Sequence, residues 1–300
     1  MSLVIICGAT ATGKSELAVL LAQKINAEII NADSMQLYKG MDIGTAKLSV
    51  AERCGITHHL IDILEIHQEA NVAWYQELAR KKIDELIASG KNVIVVGGTG
   101  LYIKAILDDL NFPDTDPQIR QKISEEAENS GNDVMHQKLA KLDPAAALAI
   151  PKENIRRVIR ALEVIELTGK PFTANLPRFE SSKYPNAQQF GLTLDRANLD
   201  SKIDQRVESM WRNGFAREVS ILLTQGLDKS TTAKKALGYS QIISFLNGEC
   251  SEEFAKAETK RTTKAYARRQ ETWFARDNRI TWLEPSSNDA RLEKLLAIIN

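Results

Sequence analysis

Cysteine is scarce and unpatterned in this chain. Cys7, Cys54 and Cys250 are far apart, odd in number and form no C-x-x-C. A disulfide framework and a cysteine zinc site are therefore not expected, and a reducing cytoplasm is the expected compartment. Neither sign of charge is in excess: Lys+Arg and Asp+Glu are both 39, which sums to zero. Overall charge thus points to no nucleic acid or membrane surface, and a polyanion partner has to be argued from local clusters. No apolar run approaches the roughly 18 residues of a membrane span. The opening Met1-Ser2-Leu3-Val4-Ile5-Ile6-Cys7-Gly8 lacks the charged start and the length of a signal peptide. Repeats and low-complexity tracts are missing too. With 43% hydrophobic and 26% charged residues in 300, the chain reads as globular: about two domains, or one large α/β domain with an insertion.

Strand and helix patterns alternate in the first third. Residues 3–7 are a short apolar run ending at Gly8, and 15–25 have helical spacing through Leu17, Leu20, Leu21 and Ile25. Residues 28–32 read as a second strand ending at Asp33. A helix is predicted from Val72 to Ser89, closed by Gly90, and residues 92–96 form a buried strand before Gly97-Gly98-Thr99-Gly100. Another helix is predicted from Leu101. Such alternation implies right-handed crossovers and a mostly parallel sheet. It stops at the turn-rich Phe112-Pro113-Asp114-Thr115-Asp116-Pro117. Only helical patterns follow, including 154–168, and then a loose stretch with Pro171, Pro177 and Pro185. Residues 188–194 look like a strand again. Helices resume from about 200, with a break at Asn213-Gly214, before a late strand at 279–283 and a closing helix at 289–299. The expected layout is an α/β core of residues 1–112 and 188–300, with an all-helical insertion at 113–187.

Gly8-Ala9-Thr10-Ala11-Thr12-Gly13-Lys14-Ser15 fits the phosphate-loop pattern G-x-x-x-x-G-K-[ST], and a strand precedes it and a helix follows it, as that loop requires. The glycines let backbone N–H groups turn onto phosphate oxygens, and the helix N-terminus adds partial positive charge. Lys14 would bridge phosphates and the Ser15 hydroxyl would sit on Mg²⁺. A nucleotide hydrolase usually carries a metal-holding acid at the end of a second strand, but here residues 92–96 end in glycines. The nearest strand-end acid is Asp33, one strand earlier. Carboxyl ends of parallel strands converge, so Asp33 is a candidate metal ligand or base, or else a solvated turn acid. The stretch from Asp33-Ser34-Met35-Gln36 to Lys47 has no clear period, and is equally a substrate-reading loop or an ordinary surface loop. His58-His59 cannot both ligate one ion, because adjacent strand residues point to opposite faces.

Two basic clusters stand out. Arg156, Arg157 and Arg160 lie on one helix, with Lys152 a turn before, as a local patch in an insertion that is neutral as a whole. Residues 254–280 carry Lys256, Lys260, Arg261, Lys264, Arg268, Arg269, Arg276 and Arg279 against only Glu258, Glu271 and Asp277, with Tyr266, Trp273 and Phe274 interleaved. Each cluster alone could be a solvated helix face. Two of them on a neutral protein favour a polyanion such as RNA.

In order along the chain, GATATGKS, DSMQLYKGMDIGTAK, HHLIDI, VGGTGLY, the R-V-x-x-M at Arg206 and ARRQETWF around Arg269 resemble the bacterial tRNA dimethylallyltransferases, also called isopentenyltransferases. The resemblance runs from Gly8 to about Trp282. It implies a P-loop kinase-like α/β core with a mostly parallel sheet, and a helical insertion that grips the tRNA anticodon stem-loop. The implied reaction moves a dimethylallyl group from dimethylallyl diphosphate to N6 of adenosine 37 of tRNA, with Mg²⁺ required and diphosphate released. It also implies a site that closes around a flipped-out base, since water would capture the allylic carbon. By motif, Asp33 would be the base, Thr99 a substrate contact and Arg206 a diphosphate contact. Gly8, Ala9, Thr10, Ala11, Thr12, Gly13, Lys14 and Ser15 would hold the diphosphate, with Ser15 on the metal. Implied tRNA contacts are Asp33, Ser34, Met35, Gln36 and Thr99, then Arg120, Gln121, Arg156, Arg157, Val158, Ile159 and Arg160, and finally Lys264, Arg268 and Arg269. Leu48 and Thr57 stand where the family often has proline, both at loop positions. No membrane and no obligate protein partner is implied, and a monomer suffices. The alternatives are a P-loop small-molecule kinase or ATPase, an adenylate isopentenyltransferase acting on free AMP, and a non-catalytic RNA-binding protein. The phosphate loop argues against the last, the insertion and basic clusters against the second.

Overall fold

The protein is described by a computed structural model covering residues 2–110, 112–175 and 182–299; Pro177 of the loose stretch lies outside the described residues. Six strands form one sheet: β1 (Leu3–Gly8), β2 (Ala27–Asn31), β3 (His58–His59), β4 (Asn92–Val96), β5 (Gln188–Leu192) and β6 (Ile280–Leu283). Their order is β3-β2-β4-β1-β5-β6, and every pairing is parallel. The helices are α1 (Lys14–Ile25), α2 (Val72–Ala88), α3 (Gly100–Leu107), α4 (Pro117–Leu142), α5 (Pro144–Ala149), α6 (Ile155–Thr168), α7 (Arg196–Arg212), α8 (Phe215–Thr224), α9 (Tyr239–Leu246), α10 (Glu252–Phe274) and α11 (Asn288–Ile299). None of the described helices is long and apolar enough to cross a membrane.

The chain divides into two compact units, residues 1–107 with 184–300, and residues 108–183. In the first, side-chain alternation sorts the strands onto two faces. Leu3, Ile5, Ile30, Val93 and Val95 join the core under α2, α3, α8 and α9. Val4, Ile6, Ile29, Ile94 and Val96 pack instead against α1 and α11. Both faces are covered, which is why these strands are continuous apolar runs. Side-chain caps start several helices: Asn71 accepts from Trp74 N, Asp195 from Asn198 N and Ser251 from Phe254 N. By contrast α1 starts at Gly13 with no side-chain cap, which leaves its first-turn N–H groups for a ligand.

The second unit begins at Asp108 rather than at the expected Pro113. Asp108 forms an antiparallel bridge with Ser182, which closes the neck of the unit, so the turn-rich residues 112–117 fall inside it. Ile123, Met135, Leu139, Val158, Ala161 and Leu162 form its core. Helix α4 breaks at Gly131, whose φ of 79° an L side chain rarely adopts. The fully buried Glu163 carboxylate lies 3.2 Å from Arg120 Nε and 3.0 Å from Arg160 Nη1. Arg160 also donates to the Pro113 carbonyl at 2.6 Å. Arg160→Ala is therefore expected to destabilise this unit by about 1–3 kcal/mol, the cost of stripping a partner from a buried acceptor. Urea unfolding followed by circular dichroism checks it, and a midpoint equal to the parent's would show that Arg120 satisfies Glu163 alone.

Candidate active site

The loop after β1 alternates backbone handedness. Gly8, Ala11 and Gly13 have φ of 135°, 64° and 90°, and such alternation curls N–H groups into an anion-binding nest. Two of its carbonyls are held by side chains. The Ala9 carbonyl accepts from Thr12 Oγ1 at 2.8 Å and Lys14 Nζ at 2.6 Å, and the Thr12 carbonyl accepts from Arg291 at 3.1 Å. Thr10 is held twice. Its N–H donates to Gln270 Oε1 at 2.9 Å, and its hydroxyl accepts from Arg206 Nη1 at 3.1 Å.

Beside it, the chain after β2 turns through Asp33. Asn31, fixed by a 2.8 Å bond from its Nδ2 to the Leu60 carbonyl, also donates to the Asp33 carbonyl and accepts from Asp33 N–H, both at 2.9 Å. Asp33 Oδ1 accepts from Met35 N at 2.9 Å, while Oδ2 accepts nothing among the described residues. Thr99 Oγ1 accepts from Ser34 N at 3.2 Å, and Thr99 N donates to the Ala32 carbonyl at 3.2 Å. The glycines after β4 are there for close approach. A Cβ on Gly97 would lie 2.2 Å from the Ala32 carbonyl oxygen, and one on Gly98 would lie 2.3 Å from Gln270 Nε2. Gln270 Nε2 donates to the Gly98 carbonyl at 2.8 Å, so one buried amide ties the phosphate loop to the turn after β4.

These parts enclose a crevice of about 300 Å³, lined by Thr10, Lys14, Ser15, Asp33, Ser34, Met35, Gln36, Gly97, Gly98, Arg206, Tyr266, Arg269 and Gln270. Ile203, Val207, Met210, Ala236 and Leu237 form an apolar wall. Burial and the nearby Arg206 charge lower the Lys14 ammonium to about 8, against the pull of Asp33. Burial likewise lowers Arg206, with Asp33 and Glu16 opposing. Tyr266 is pushed up to about 12 by burial and by the Asp33 charge, with Thr99, Arg269 and Gln270 opposing. Cys7, beneath the loop, is held at about 12 by burial and stays a neutral thiol. The loop from Asp42 to Gly44 is fastened by Glu218, whose carboxylate accepts from Asp42 N at 2.9 Å, Ile43 N at 2.6 Å, Gly44 N at 3.1 Å and Tyr239 OH at 2.7 Å.

A buried-loop anion nest, two lowered cations and one carboxylate with a free oxygen on a single crevice make an arrangement that can hold a diphosphate and take up a proton next to it. A family model described as IPP transferase matches residues 36–277. The chain belongs to the IPP transferase family. A tRNA dimethylallyltransferase from Thermobifida fusca is 54% identical over 295 residues, covering 96% of this chain and 92% of that one. The crystal structure of a tRNA isopentenylpyrophosphate transferase from Bacillus halodurans superposes with a TM-score of 0.73 at 37% identity, over 99% of this chain and 95% of that chain. A eukaryotic dimethylallyltransferase acting on tRNA gives 0.77 at 28% identity, over 91% and 70%.

In this family member the crevice brings together Asp33, Arg206 and the phosphate loop, with Thr99 supporting the Asp33 turn. The basic stretch on α10 is more neutral than its own composition suggests. Lys260 bonds Glu208 at 2.6 Å and Lys264 bonds Asp204 at 2.8 Å, both acids lying on α7 outside the counted stretch. Lys256 pairs with Glu252 and Arg261 with Glu258. Lys264 is thus already neutralised, whereas Arg268 and Arg269 are exposed without an ion pair among the described residues. Arg269 lies 5.5 Å from the Tyr266 ring centre, at the crevice edge.

On α6, Arg156 and Arg157 are exposed. Val158 is fully buried and Ile159 packs against the same core, so the Val158 side chain cannot touch a partner. Arg120 and Arg160 are engaged with Glu163, and Gln121 donates to Glu125 at 2.9 Å. Gln270, Asn31 and Glu218 had no role assigned from sequence. Only Gln270 had a signal, its place in ARRQETWF.

Proposed function

We propose that this chain transfers a dimethylallyl group from dimethylallyl diphosphate to N6 of the adenosine at tRNA position 37, beside the anticodon, in a reducing cytoplasm. The diphosphate sits in the phosphate-loop nest with Lys14 and Arg206 on its oxygens. The five-carbon group lies along Ile203, Val207 and Met210, where water is excluded. The allylic C1–O bond breaks, its electron pair leaving with the diphosphate, and C1 bonds to N6. Fixed donors aimed at the leaving oxygens stabilise the charge that develops there. As the C–N bond forms, the N6 proton becomes acidic and passes to Asp33 Oδ2, the one oxygen of that carboxylate left without a donor. What carries this reading is the meeting of Asp33 with Lys14 and Arg206 on one crevice, while β4 is followed by glycines that cannot order a hydrolytic water.

Magnesium fits as an ion brought in with the substrate. Among the described residues no group of three or more His, Cys, Asp or Glu is placed to hold a metal. The Ser15 hydroxyl, however, lines the crevice without a hydrogen-bond partner among the described residues, which suits a site completed by diphosphate oxygens. Bound there, Mg²⁺ would neutralise part of the leaving group's charge.

The test is incubation with unmodified tRNA, Mg²⁺ and either dimethylallyl diphosphate or ATP, followed by nucleoside mass analysis and diphosphate release. Adenosine gaining a five-carbon group, with diphosphate released only when tRNA is present, is the expected result. Robust tRNA-independent ATP hydrolysis with no modified adenosine would replace it with kinase-like chemistry.

For tRNA capture, we place Arg156 and Arg157 on the phosphate backbone. Changing both to alanine is expected to weaken tRNA binding and flatten its salt dependence, since each lost phosphate contact removes up to about 0.9 from the log–log slope. Donor binding should be unaffected. Filter binding across a salt series measures this, and parent-like curves would reduce that helix face to a solvated surface.

A further inference from the structure

Arg291 is a deeply buried cation, at 2% exposure. It lies on α11, and its guanidinium reaches three main-chain carbonyls: Thr193 at 2.8 Å, Thr12 at 3.1 Å and Glu284 at 3.4 Å. No carboxylate pairs with it among the described residues. The buried Glu163, by contrast, has two arginines beside it. A buried charge satisfied only by neutral dipoles is costly to the fold, so its position calls for a compensating anion.

That position is the back of the phosphate loop. Thr12 lies between Ala11 and Gly13, the two left-handed residues of the nest. The Arg291 bond to the Thr12 carbonyl thus fixes the loop between those two residues. The same helix touches the loop again at its start. Asn288 Oδ1 lies 3.2 Å from where a Gly13 Cβ would stand, and Asn288 Nδ2 donates to Glu16 at 3.0 Å. The closing helix therefore braces the loop at two points and delivers a positive charge to one of them.

We infer that Arg291 is a positioning residue for the diphosphate, holding the phosphate loop in its anion-binding shape through the Thr12 carbonyl and supplying from behind the loop a counter-charge that the bound diphosphate balances. This rests on the diphosphate reading above. Lys14 and Arg206 face the ligand from the crevice side, whereas Arg291 acts across the loop and never touches it.

The experiment titrates inorganic diphosphate, with Mg²⁺, into the full-length parent, Arg291→Gln and Arg291→Lys, using calorimetry, alongside transfer kinetics with dimethylallyl diphosphate. Glutamine keeps a donor and loses the charge; lysine keeps the charge and loses donors. Arg291→Gln is expected to weaken diphosphate binding and raise the donor KM by about 10- to 100-fold, the range for a lost hydrogen bond to a charged group. Its kcat should change far less, and tRNA affinity should stay with the parent. Arg291→Lys should recover most of the diphosphate affinity even if it melts at a lower temperature. A folded Arg291→Gln that binds diphosphate as the parent does, with only a lower Tm, overturns the inference in favour of a purely structural brace. So does an Arg291→Lys as impaired as Arg291→Gln, because charge would then count for nothing. Should Arg291→Gln not fold, Arg291→Lys decides alone: near-parent diphosphate affinity supports the inference, and a 10-fold or greater loss overturns it. A parent that itself binds no diphosphate would instead sink the function proposed above and leave Arg291 out of the matter.

Discussion

Asp33→Asn is expected to cut transfer turnover by about 10²–10⁴, the range for loss of a positioned general base, with tRNA affinity nearly unchanged. Asparagine can keep the turn. Its Oδ1 still accepts from Met35 N, the bond that Asp33 makes at 2.9 Å, and the Asn31 contacts to the Asp33 backbone do not involve the side chain. Only the second oxygen changes, from an acceptor that can take a proton to an amide that cannot. The loss should appear in kcat, since neither the loop nest nor Arg206 is disturbed. Single-turnover rates with saturating donor and tRNA isolate this step. Near-parent rates in that measurement would remove Asp33 from the base role and return it to a turn acid.

Much of this site was open to sequence reasoning because its parts are local. A phosphate loop is one contiguous pattern, and β1, β2 and β4 are short apolar runs ended by glycine or a polar turn. Once those strands are taken as parallel, Gly8, Asp33 and Gly97 must meet at one edge of the sheet. What stayed hidden depends on residues far apart in the chain. Gln270 joins Thr10 to Gly98 across 260 and 172 residues, and nothing local distinguishes a glutamine that does this from one in water. The α10 lysines read as a basic surface because Asp204 and Glu208, which neutralise two of them, lie on another helix. Val158 sits between arginines in sequence, yet the helical period turns it into the core. The division at Asp108 rather than Pro113 follows from a bridge to Ser182, which no turn signal announces.

Donor affinity is expected to fall as pH rises above about 8, and Lys14→Met should abolish that dependence. In the ligand-free protein burial and Arg206 hold the Lys14 ammonium at about 8. A diphosphate beside it favours the charged form and raises that value. Below pH 8 the lysine is protonated with or without ligand, so affinity is flat. Between about 8 and the higher bound value, binding must take up a proton, and affinity drops by about tenfold per pH unit. The ligand-free fold runs in the opposite direction. Unfolded, this lysine keeps its proton up to 10.5, so the unfolded chain binds more protons and the fold gains stability as pH rises from 8 to 10.5. Cys7 and Tyr266 both titrate near 12, above this window. Calorimetry at pH 9 in buffers of different ionisation enthalpy should register the uptake of close to one proton. Lys14→Met should bind about 10- to 100-fold more weakly at pH 7, the value of a hydrogen bond to a charged group, and show no proton uptake at pH 9. Unchanged uptake in Lys14→Met would assign the titration to another group and leave the lowered lysine without a part in holding the diphosphate.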